Sequence, residues 1–249
     1  MINNISFKLK NKFNLYFSDN LAIIYGNNGC GKSTFMSAID ASVNGSQWGI
    51  LSRFNWDLGL DCENTALQFN QAGGKYKPEF DVTYLYSDMS LTFTPDHLTL
   101  LDSKLSEVLL EVSSNLNSKA ITNSDLNELI TLLNEKYVKD DSSFKFVTGE
   151  SALLQFEAYG EKLDVEQLPR SFKWILLLLL TTKLLSVKKS EQLLMLDTPE
   201  NGLHISWQRR IVDDIRELAG NNLQIIVATH SPSIVSGKRD SIVHMESIF

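Results

Sequence analysis

The sequence contains few cysteines and no long hydrophobic run. Among 249 residues only Cys30 and Cys62 are cysteines, which is too few for a disulfide framework or a zinc cage. The longest apolar run covers residues 174–180, whereas a membrane-spanning helix needs about 20 apolar residues. The first twelve residues lack the continuous apolar core of a secretory signal. We therefore expect a cytoplasmic protein that does not associate with membranes.

The sequence also lacks an excess of positive charge. It has 23 Lys and Arg residues against 30 Asp and Glu residues, a net charge of −7. Proteins bind DNA and RNA largely through basic side chains, so the charge does not indicate a nucleic-acid partner, although a local basic patch could still bind one. Nearly all of the acidic excess lies in residues 88–141, which contain ten acidic and four basic residues.

Strands and helices alternate in the last third of the chain. The predicted strands span 5–9, 13–17, 21–25, 193–196, 223–228 and 242–245, and the predicted helices span 32–43, 170–187 and 203–218. The alternation is typical of an α/β layer with a largely parallel sheet.

The middle of the chain, residues 46–145, matches no nucleotide-binding motif. Residues 45–77 are predicted to form loops and short strands, and residues 80–86 a strand. Helical spacing over 102–116 and 123–138 predicts an acidic helical hairpin at about 102–138. We expect one domain over residues 1–249, with an inserted lobe over 46–145.

The strongest motif is a glycine-rich loop that follows the apolar strand 21–25. It contains Gly26, Asn27, Asn28, Gly29, Cys30, Gly31, Lys32 and Ser33, followed by Thr34. It matches G-x-x-x-x-G-K-[ST] at every fixed position. Its glycines let successive N–H groups face phosphate oxygens, and the following helix adds a favourable dipole. Lys32 is predicted to reach the β- and γ-phosphates of ATP, and the Ser33 hydroxyl to bind Mg²⁺.

Two more apolar strands each end in a polar residue. The run 193–196 is followed by Asp197, the Walker B pattern, so Asp197 is the predicted Mg²⁺ carboxylate. The run 225–228 is followed by Thr229 and His230. A neutral histidine there could contact the γ-phosphate or the attacking water.

These motifs resemble the heads of ABC-type ATPases. The resemblance rests on residues 26–33, on LLMLDTPENGLH at 193–204 and on ATHSP at 228–232. More narrowly, the motifs resemble small bacterial AAA_21 and OLD-like ATPases, relatives of the Rad50, SMC and RecF heads. The resemblance covers about 1–45 and 150–249. It implies a P-loop NTPase fold with a mainly parallel central sheet, an antiparallel N-terminal β-lobe and a helical insertion.

The chain departs from these heads at the signature before Walker B. The heads carry a Ser-Gly-Glu-like turn that contacts the γ-phosphate bound by a second subunit. Here the segment reads LPRSFKW at 168–174, without the glycine and the glutamate. Arg170 and Ser171 are the residues that could still make this contact in trans.

The second departure concerns the general base. Many relatives have Glu directly after the Walker B aspartate, where this chain has Thr198. Glu200 matches a second acidic position of the family, and we expect it to orient the water, with Lys32 and His230 completing the catalytic set. The alternative is that hydrolysis is slow and the protein works as an ATP-gated clamp. The residue that plays the Q-loop role after residues 84–86 is left unassigned.

The resemblance implies a homodimer or higher oligomer that binds ATP and Mg²⁺ and hydrolyses ATP slowly. Small members of the group commonly accompany a nuclease or toxin in anti-phage defence, and the chain shows no nuclease motif of its own. We therefore expect a separate effector partner. The alternatives are an ATP-binding sensor or scaffold with little hydrolysis, a DNA repair ATPase and, disfavoured by the degraded signature, a transporter ATPase.

Overall fold

The fold divides into two compact units. The computed structural model describes residues 1–45, 53, 55–63, 65–70, 73–74, 79–90, 99–138, 143–148 and 154–249. The first unit contains Met1–Ser87 and Lys188–Phe249, and the second contains Asp88–Val187. These boundaries differ from those of the lobe expected over 46–145. The organisation as one domain with an insertion stays a prediction.

Strands and helices are numbered in chain order over the described residues. The strands are β1 (Ile2–Lys8), β2 (Lys12–Tyr16), β3 (Leu21–Tyr25), β4 (Asp57–Cys62), β5 (Ala66–Asn70), β6 (Gly73–Gly74), β7 (Asp81–Tyr86), β8 (Phe144–Val147), β9 (Gln155–Ala158), β10 (Glu161–Leu163), β11 (Gln192–Asp197), β12 (Leu223–Thr229) and β13 (Ile242–His244). The helices are α1 (Lys32–Asn44), α2 (Leu100–Asn117), α3 (Asn123–Leu133), α4 (Arg170–Ser186), α5 (Ile205–Gln208), α6 (Ile211–Ala219) and α7 (Pro232–Val235).

The central sheet of the first unit is entirely parallel, with strand order β13-β3-β12-β11-β7. Every residue of β11 and β12 is buried, as expected for a parallel sheet that is covered on both faces. Helix α1 packs against β7, β11 and β12. The predicted α/β fold with a mainly parallel sheet is confirmed.

A second sheet of the first unit is antiparallel, with order β2-β1-β4-β5-β6. Its apolar side chains alternate with polar ones, so Ile5, Phe7 and Leu15 enter the core and the residues between them do not. The antiparallel N-terminal β-lobe is therefore confirmed. The region 45–77, predicted as loops and short strands, lies partly outside the described residues, and its described part contains β4, β5 and β6.

The helices of the second unit follow the predicted pattern. Helices α2 and α3 occupy the segment predicted as a hairpin, and Thr99 and Thr122 cap them by accepting backbone N–H groups. The principal helical neighbour of α2 is α4, which contains the apolar run 174–180 and is buried along most of its length. Among the described residues, no helix has the length and hydropathy to span a membrane.

Ion pairs and aromatic rings hold the second unit together. Lys173 on α4 contacts Asp102 on α2 at 2.6 Å, and Lys183 contacts Asp125 at the start of α3 at 2.6 Å. Strands β8, β9 and β10 form a small antiparallel sheet. Phe172 of α4 packs against aromatic rings of this sheet, which belong to Phe144, Phe146 and Phe156.

One predicted helix is broken. The sequence pattern predicts a single helix over 203–218, whereas the structure has α5 and α6 with Arg209 and Arg210 between them. The Gln208 side chain donates to the Leu203 carbonyl at 3.0 Å and accepts from the Ser231 hydroxyl at 2.9 Å. Arg210 has a φ of −114°, outside the helical range. These tertiary contacts outweigh the helical periodicity.

Candidate functional site

The predicted motifs follow the carboxyl ends of neighbouring parallel strands in the first unit. Strand β3 leads into the glycine-rich loop, β12 into His230 and β7 into Ser87, while β11 ends at Asp197. In the register of the sheet, Asp197 is paired with Ala228 of β12 and with Tyr86 of β7. All four segments therefore meet at one edge of the sheet, where α/β proteins bind ligands.

The glycine-rich loop has backbone conformations that require glycine. Gly29 has a φ of 79° and Gly31 a φ of 110°, in the left-handed region that side chains disfavour. A Cβ on Gly26 would lie 2.6 Å from the Met245 carbonyl oxygen. The loop residues 27–29 are exposed to solvent. The loop thus has the geometry of a phosphate cradle.

Lys32 places a buried positive charge inside this loop. The residue is 6% exposed, and its Nζ donates to the carbonyls of Gly26 at 2.8 Å and Asn27 at 2.9 Å. The Sγ atom of Cys30 lies 3.7 Å from the same Nζ. Among the described residues, no carboxylate forms an ion pair with Lys32, and its partners there are two neutral carbonyls and a thiol. Burying an ammonium without a counter-ion is costly, so this environment favours an anion that binds beside it.

The first turn of α1 follows directly from the loop. Ser33 is exposed and Thr34 is partly buried, and the first turn contains no acidic side chain that would repel an anion. The N–H groups and dipole of a helix amino-terminus favour phosphate at this position.

Asp197 ends β11 and is 5% exposed. The Tyr84 hydroxyl, on the adjacent strand β7, donates to Asp197 Oδ2 at 3.0 Å. Burial, followed by the nearby Asp197 carboxylate, raises the pKa of Tyr84 above its ordinary value. The phenol therefore stays protonated and acts as the donor of this hydrogen bond.

Thr198 follows Asp197 in a strained conformation. Its φ is 49°, which is rare and costly for a β-branched residue. The Thr198 hydroxyl lies 2.8 Å from that of Ser87, and the Asn201 side chain donates to Ser87 Oγ at 2.8 Å. These contacts join the end of β7 to the turn after β11. The hydrogen-bonded, neutral hydroxyl of Thr198 therefore occupies the position where many relatives have a glutamate.

Glu200 is buried beneath the end of β12. It is 4% exposed, and its Oε1 accepts hydrogen bonds from the Thr229 hydroxyl at 2.5 Å and the His230 backbone N–H at 3.2 Å. The His230 Nδ1 atom lies 3.6 Å from the same oxygen. The other oxygen, Oε2, is buried and has no hydrogen-bond partner among the described residues. One carboxylate oxygen thus fixes the turn that carries His230, and the second has remaining acceptor capacity.

The two residues considered for a trans contact belong to the second unit. Arg170 and Ser171 are the first two residues of α4, and Arg170 is exposed. The cap position is taken by Pro169, and no side chain caps this helix. Lys173, which also lies in the segment 168–174, pairs with Asp102.

Sequence patterns alone did not identify Tyr84, Ser87, Asn201 and Thr229 as members of the site. The usable signal was the predicted strand 80–86, since any strand of a parallel sheet delivers the residue that follows it to the same edge. That rule points to Ser87. It also points to Thr229, which follows the predicted strand 223–228. It does not point to Tyr84 or Asn201, whose contacts with Asp197 and Ser87 are long-range side-chain pairs.

Two family models match the chain. The AAA_23 model, described as an AAA domain, matches residues 1–196. The chain belongs to this family of AAA domains. The AAA_21 model, described as "AAA domain, putative AbiEii toxin, Type IV TA system", matches residues 174–236. None of the curated proteins matches this chain.

Solved structures of SMC heads have the same fold. The SMC head bound to the C-winged helix domain of ScpA is 13% identical with a TM-score of 0.57, covering 99% of this chain and 95% of that one. The SMC head domain from Thermotoga maritima is 15% identical with a TM-score of 0.54, covering 94% and 90%. The Smc head with an extended coiled coil, bound to the C-terminal domain of ScpA derived from Pyrococcus furiosus, is 12% identical with a TM-score of 0.55, covering 99% and 94%.

The predicted ABC-type ATPase head is therefore confirmed at the level of family and fold. The chain is an ATP-binding ATPase domain of the P-loop class. At identities below 16% the solved structures establish the fold alone.

Proposed function

We propose that this AAA-domain chain binds ATP with Mg²⁺ in the loop 26–33, hydrolyses it slowly, and pairs with a second copy while ATP is bound. The observation that supports this most strongly is the environment of Lys32. Its ammonium is buried among loop carbonyls without an acidic partner in the described residues. Phosphate oxygens of ATP would supply the missing negative charge, through charge-assisted hydrogen bonds.

The residues present also fit a magnesium ion. The described residues contain no cluster of three His, Cys, Asp or Glu side chains that could hold a metal by themselves. Mg²⁺ in nucleotide sites is held by one or two protein oxygens together with phosphate oxygens and water, and the Ser33 hydroxyl and the buried Asp197 carboxylate are oxygen donors of this kind. When bound, the ion would neutralise charge on the β- and γ-phosphates.

Glu200 is the residue we propose to orient the attacking water. Its Oε2 has no partner in the described chain, so it can accept a hydrogen bond from water. His230, whose backbone N–H is held by the other oxygen, would contact the γ-phosphate with its ring. Because Thr198 offers no carboxylate directly after Asp197, we expect turnover to be slow.

The Glu200→Gln variant tests this assignment. The amide keeps the shape and cannot take a proton, so ATP affinity should persist while the hydrolysis rate falls by about 10²–10⁴-fold. Phosphate release and ATP binding would be measured separately on purified protein. Glu63→Gln, which changes an exposed glutamate, is the matched control. Turnover at the wild-type rate in Glu200→Gln would reduce Glu200 to a structural role.

The same variant tests the proposed dimerisation. A protein that keeps ATP and cannot hydrolyse it should accumulate as the ATP-closed pair, in which Arg170 and Ser171 of each copy would reach the phosphates of the other. Sedimentation of Glu200→Gln with Mg²⁺-ATP should show a dimer, and Arg170→Ala in the same background should weaken it. A monomer under saturating ATP would contradict the proposed pairing.

The second candidate function is an ATP sensor or scaffold with no turnover. The observation that favours it is Thr198, which occupies the position where many relatives have a glutamate as general base. Its hydroxyl is hydrogen-bonded to that of Ser87. Measurements of ATP binding and phosphate release on wild-type protein distinguish the two candidate functions. Phosphate release that follows ATP concentration and stops in Lys32→Ala supports the ATPase, whereas tight ATP binding without phosphate release supports the sensor.

The biological role we propose is control of a separate effector in anti-phage defence. The description of the AAA_21 model as a putative toxin of a toxin–antitoxin system supports this class of role. The chain would be expressed in a bacterial host with its neighbouring genes and challenged with phage. Protection that is lost in Lys32→Ala supports the role, and a neighbouring membrane permease without protection would overturn it.

The acidic helical segment 102–138 is the proposed docking surface for this effector. It belongs to the second unit, which contains 15 acidic and nine basic residues, and its Glu107, Glu111, Glu128 and Glu135 are exposed. A basic partner would be attracted, with an affinity that weakens as salt rises. Replacing the four glutamates with Gln should weaken capture of a co-expressed partner and leave ATPase activity intact. Loss of ATP binding in the folded variant would contradict a docking role.

A further inference from the structure

Tyr84 connects two elements of the nucleotide site without belonging to any of its motifs. It lies on β7, which is paired with β11, and its hydroxyl donates to Asp197 Oδ2 at 3.0 Å. The ring is only partly exposed and packs against the main core of the first unit. The bond therefore links a fixed core residue to the carboxylate predicted to bind the metal.

Helix α1 approaches the same phenol. It packs against β7, the strand that carries Tyr84, and Ser37 of α1 is among the groups that influence the pKa of the Tyr84 phenol. Ser37 is one helical turn after Ser33, and residues four apart lie on the same face of a helix. The side of α1 that carries the predicted Ser33 ligand therefore also carries Ser37. Tyr84 lies on the strand that contacts both elements whose oxygens are expected to share the ion.

We propose that Tyr84 is a positioning residue for magnesium, whose hydroxyl holds the Asp197 carboxylate in the orientation that it needs to bind the ion together with Ser33. The inference rests on the proposed Mg²⁺-ATP site and assigns part of its metal affinity to a residue that does not contact the metal. Donors that orient a metal ligand commonly contribute about 10–100-fold to metal affinity.

The Tyr84→Phe variant isolates this contribution, because it removes one oxygen and keeps the ring. The dissociation constant of ATP would be measured with saturating Mg²⁺ and again with EDTA. We expect the enhancement of ATP affinity by Mg²⁺ to fall about tenfold, near the lower end of the range for such donors. Affinity in EDTA should stay within twofold of wild type. Tyr159→Phe, which removes an exposed phenol of the second unit, is the matched control and should change neither value.

A double-mutant cycle separates positioning from general structural damage. Asp197→Asn should remove most of the Mg²⁺ enhancement, and adding Tyr84→Phe to it should cause no further loss, because the phenol acts only through that carboxylate. Additive losses in the double variant would overturn the inference. An unchanged or stronger Mg²⁺ enhancement in Tyr84→Phe alone would also overturn it.

Folding and the proposed site are checked independently. If wild-type protein binds ATP neither with Mg²⁺ nor with EDTA, the nucleotide site itself is wrong, which is a different outcome from the failure of Tyr84. Thermal melting without nucleotide shows whether Tyr84→Phe is folded. If it is not, Tyr84→Leu, which also lacks the hydroxyl, takes its place and should show the same loss, and full Mg²⁺ enhancement in folded Tyr84→Leu would contradict the proposal.

Discussion

The two units differ in charge and in the way their interiors are held. The first has 15 acidic and 14 basic residues and contains the glycine-rich loop, Asp197 and His230, whereas the second has 15 acidic and nine basic residues and contains only the degraded signature segment 168–174. Parallel strands without an exposed residue form the centre of the first unit. The second depends on helices joined by ion pairs and on a cluster of phenylalanine rings.

This difference indicates where each property of the chain resides. The apolar strands of the first unit carry their polar side chains where they end. The residues expected to bind nucleotide and metal are therefore concentrated at one edge of its sheet. The amphipathic helices of the second unit present charged faces to solvent. Nucleotide binding should therefore depend on single residues of the first unit, and partner binding on the summed charge of the second.

The largest expected effect in the second unit comes from breaking its most buried ion pair. The side chains of Lys173 and Asp102 are 11% and 15% exposed, and Lys173→Ala leaves the aspartate without this partner. Removing one member of a buried pair costs about 3 kcal/mol or more, which corresponds to a fall of roughly 6–12 °C in melting temperature.

Differential scanning calorimetry measures the loss, and ATP titration of the same Lys173→Ala sample below its melting temperature should give an affinity within twofold of wild type. Lys104→Ala, which removes an exposed ion pair with Glu107, is the matched control and should cost less than about 1 kcal/mol. If Lys173→Ala abolished ATP binding in folded protein, the division of labour between the two units would be wrong.

A smaller effect should appear as pH dependence. The hydrogen bond from Lys183, assisted by Thr122, lowers the pKa of Asp125 to about 2. Because the pKa is lower in the folded state than in the unfolded state, the ionised aspartate stabilises the fold. This contribution is complete at pH values above the ordinary aspartate pKa of about 3.9. This stability is lost as the pH falls from about 4 towards 2.

The Asp125→Asn variant should therefore be less stable than wild type at pH 7, by up to about 1 kcal/mol for this partly exposed pair. The difference should shrink as the pH is lowered through 4 to 2. Urea unfolding at pH 7, 5 and 3 measures it. A difference that stays constant with pH would mean that Asp125 acts through helix capping alone and not through its charge.

The sequence predicted those parts of the molecule that local patterns determine. The central strands, α1, and the arrival of loop 26–33, Asp197 and His230 at one sheet edge all follow from apolar runs that end in polar residues. The break between α5 and α6 was missed because it depends on hydrogen bonds from Gln208 to Leu203 and from Ser231 to Gln208. The spacing of apolar residues along the sequence does not reveal these bonds. The pairs Glu200–Thr229 and Tyr84–Asp197 were missed for the same reason, since tertiary folding brings them together.

In the middle segment, the sequence predicted helices but not their tertiary partners. Acidic composition and helical spacing correctly indicated α2 and α3. They did not show that Lys173 and Lys183 of α4 would pair with Asp102 and Asp125, which makes α4 part of the second unit.

ATP titration of purified Lys32→Ala is the most direct test of the central claim, that the loop of the first unit binds ATP through a buried ammonium. Loss of a charge-assisted contact of about 1.5–3 kcal/mol predicts an affinity at least about 10-fold, and up to roughly 100-fold, below wild type. Lys189→Ala, which removes an exposed lysine of the same unit, should bind ATP as wild type does. Wild-type affinity in folded Lys32→Ala would contradict the account.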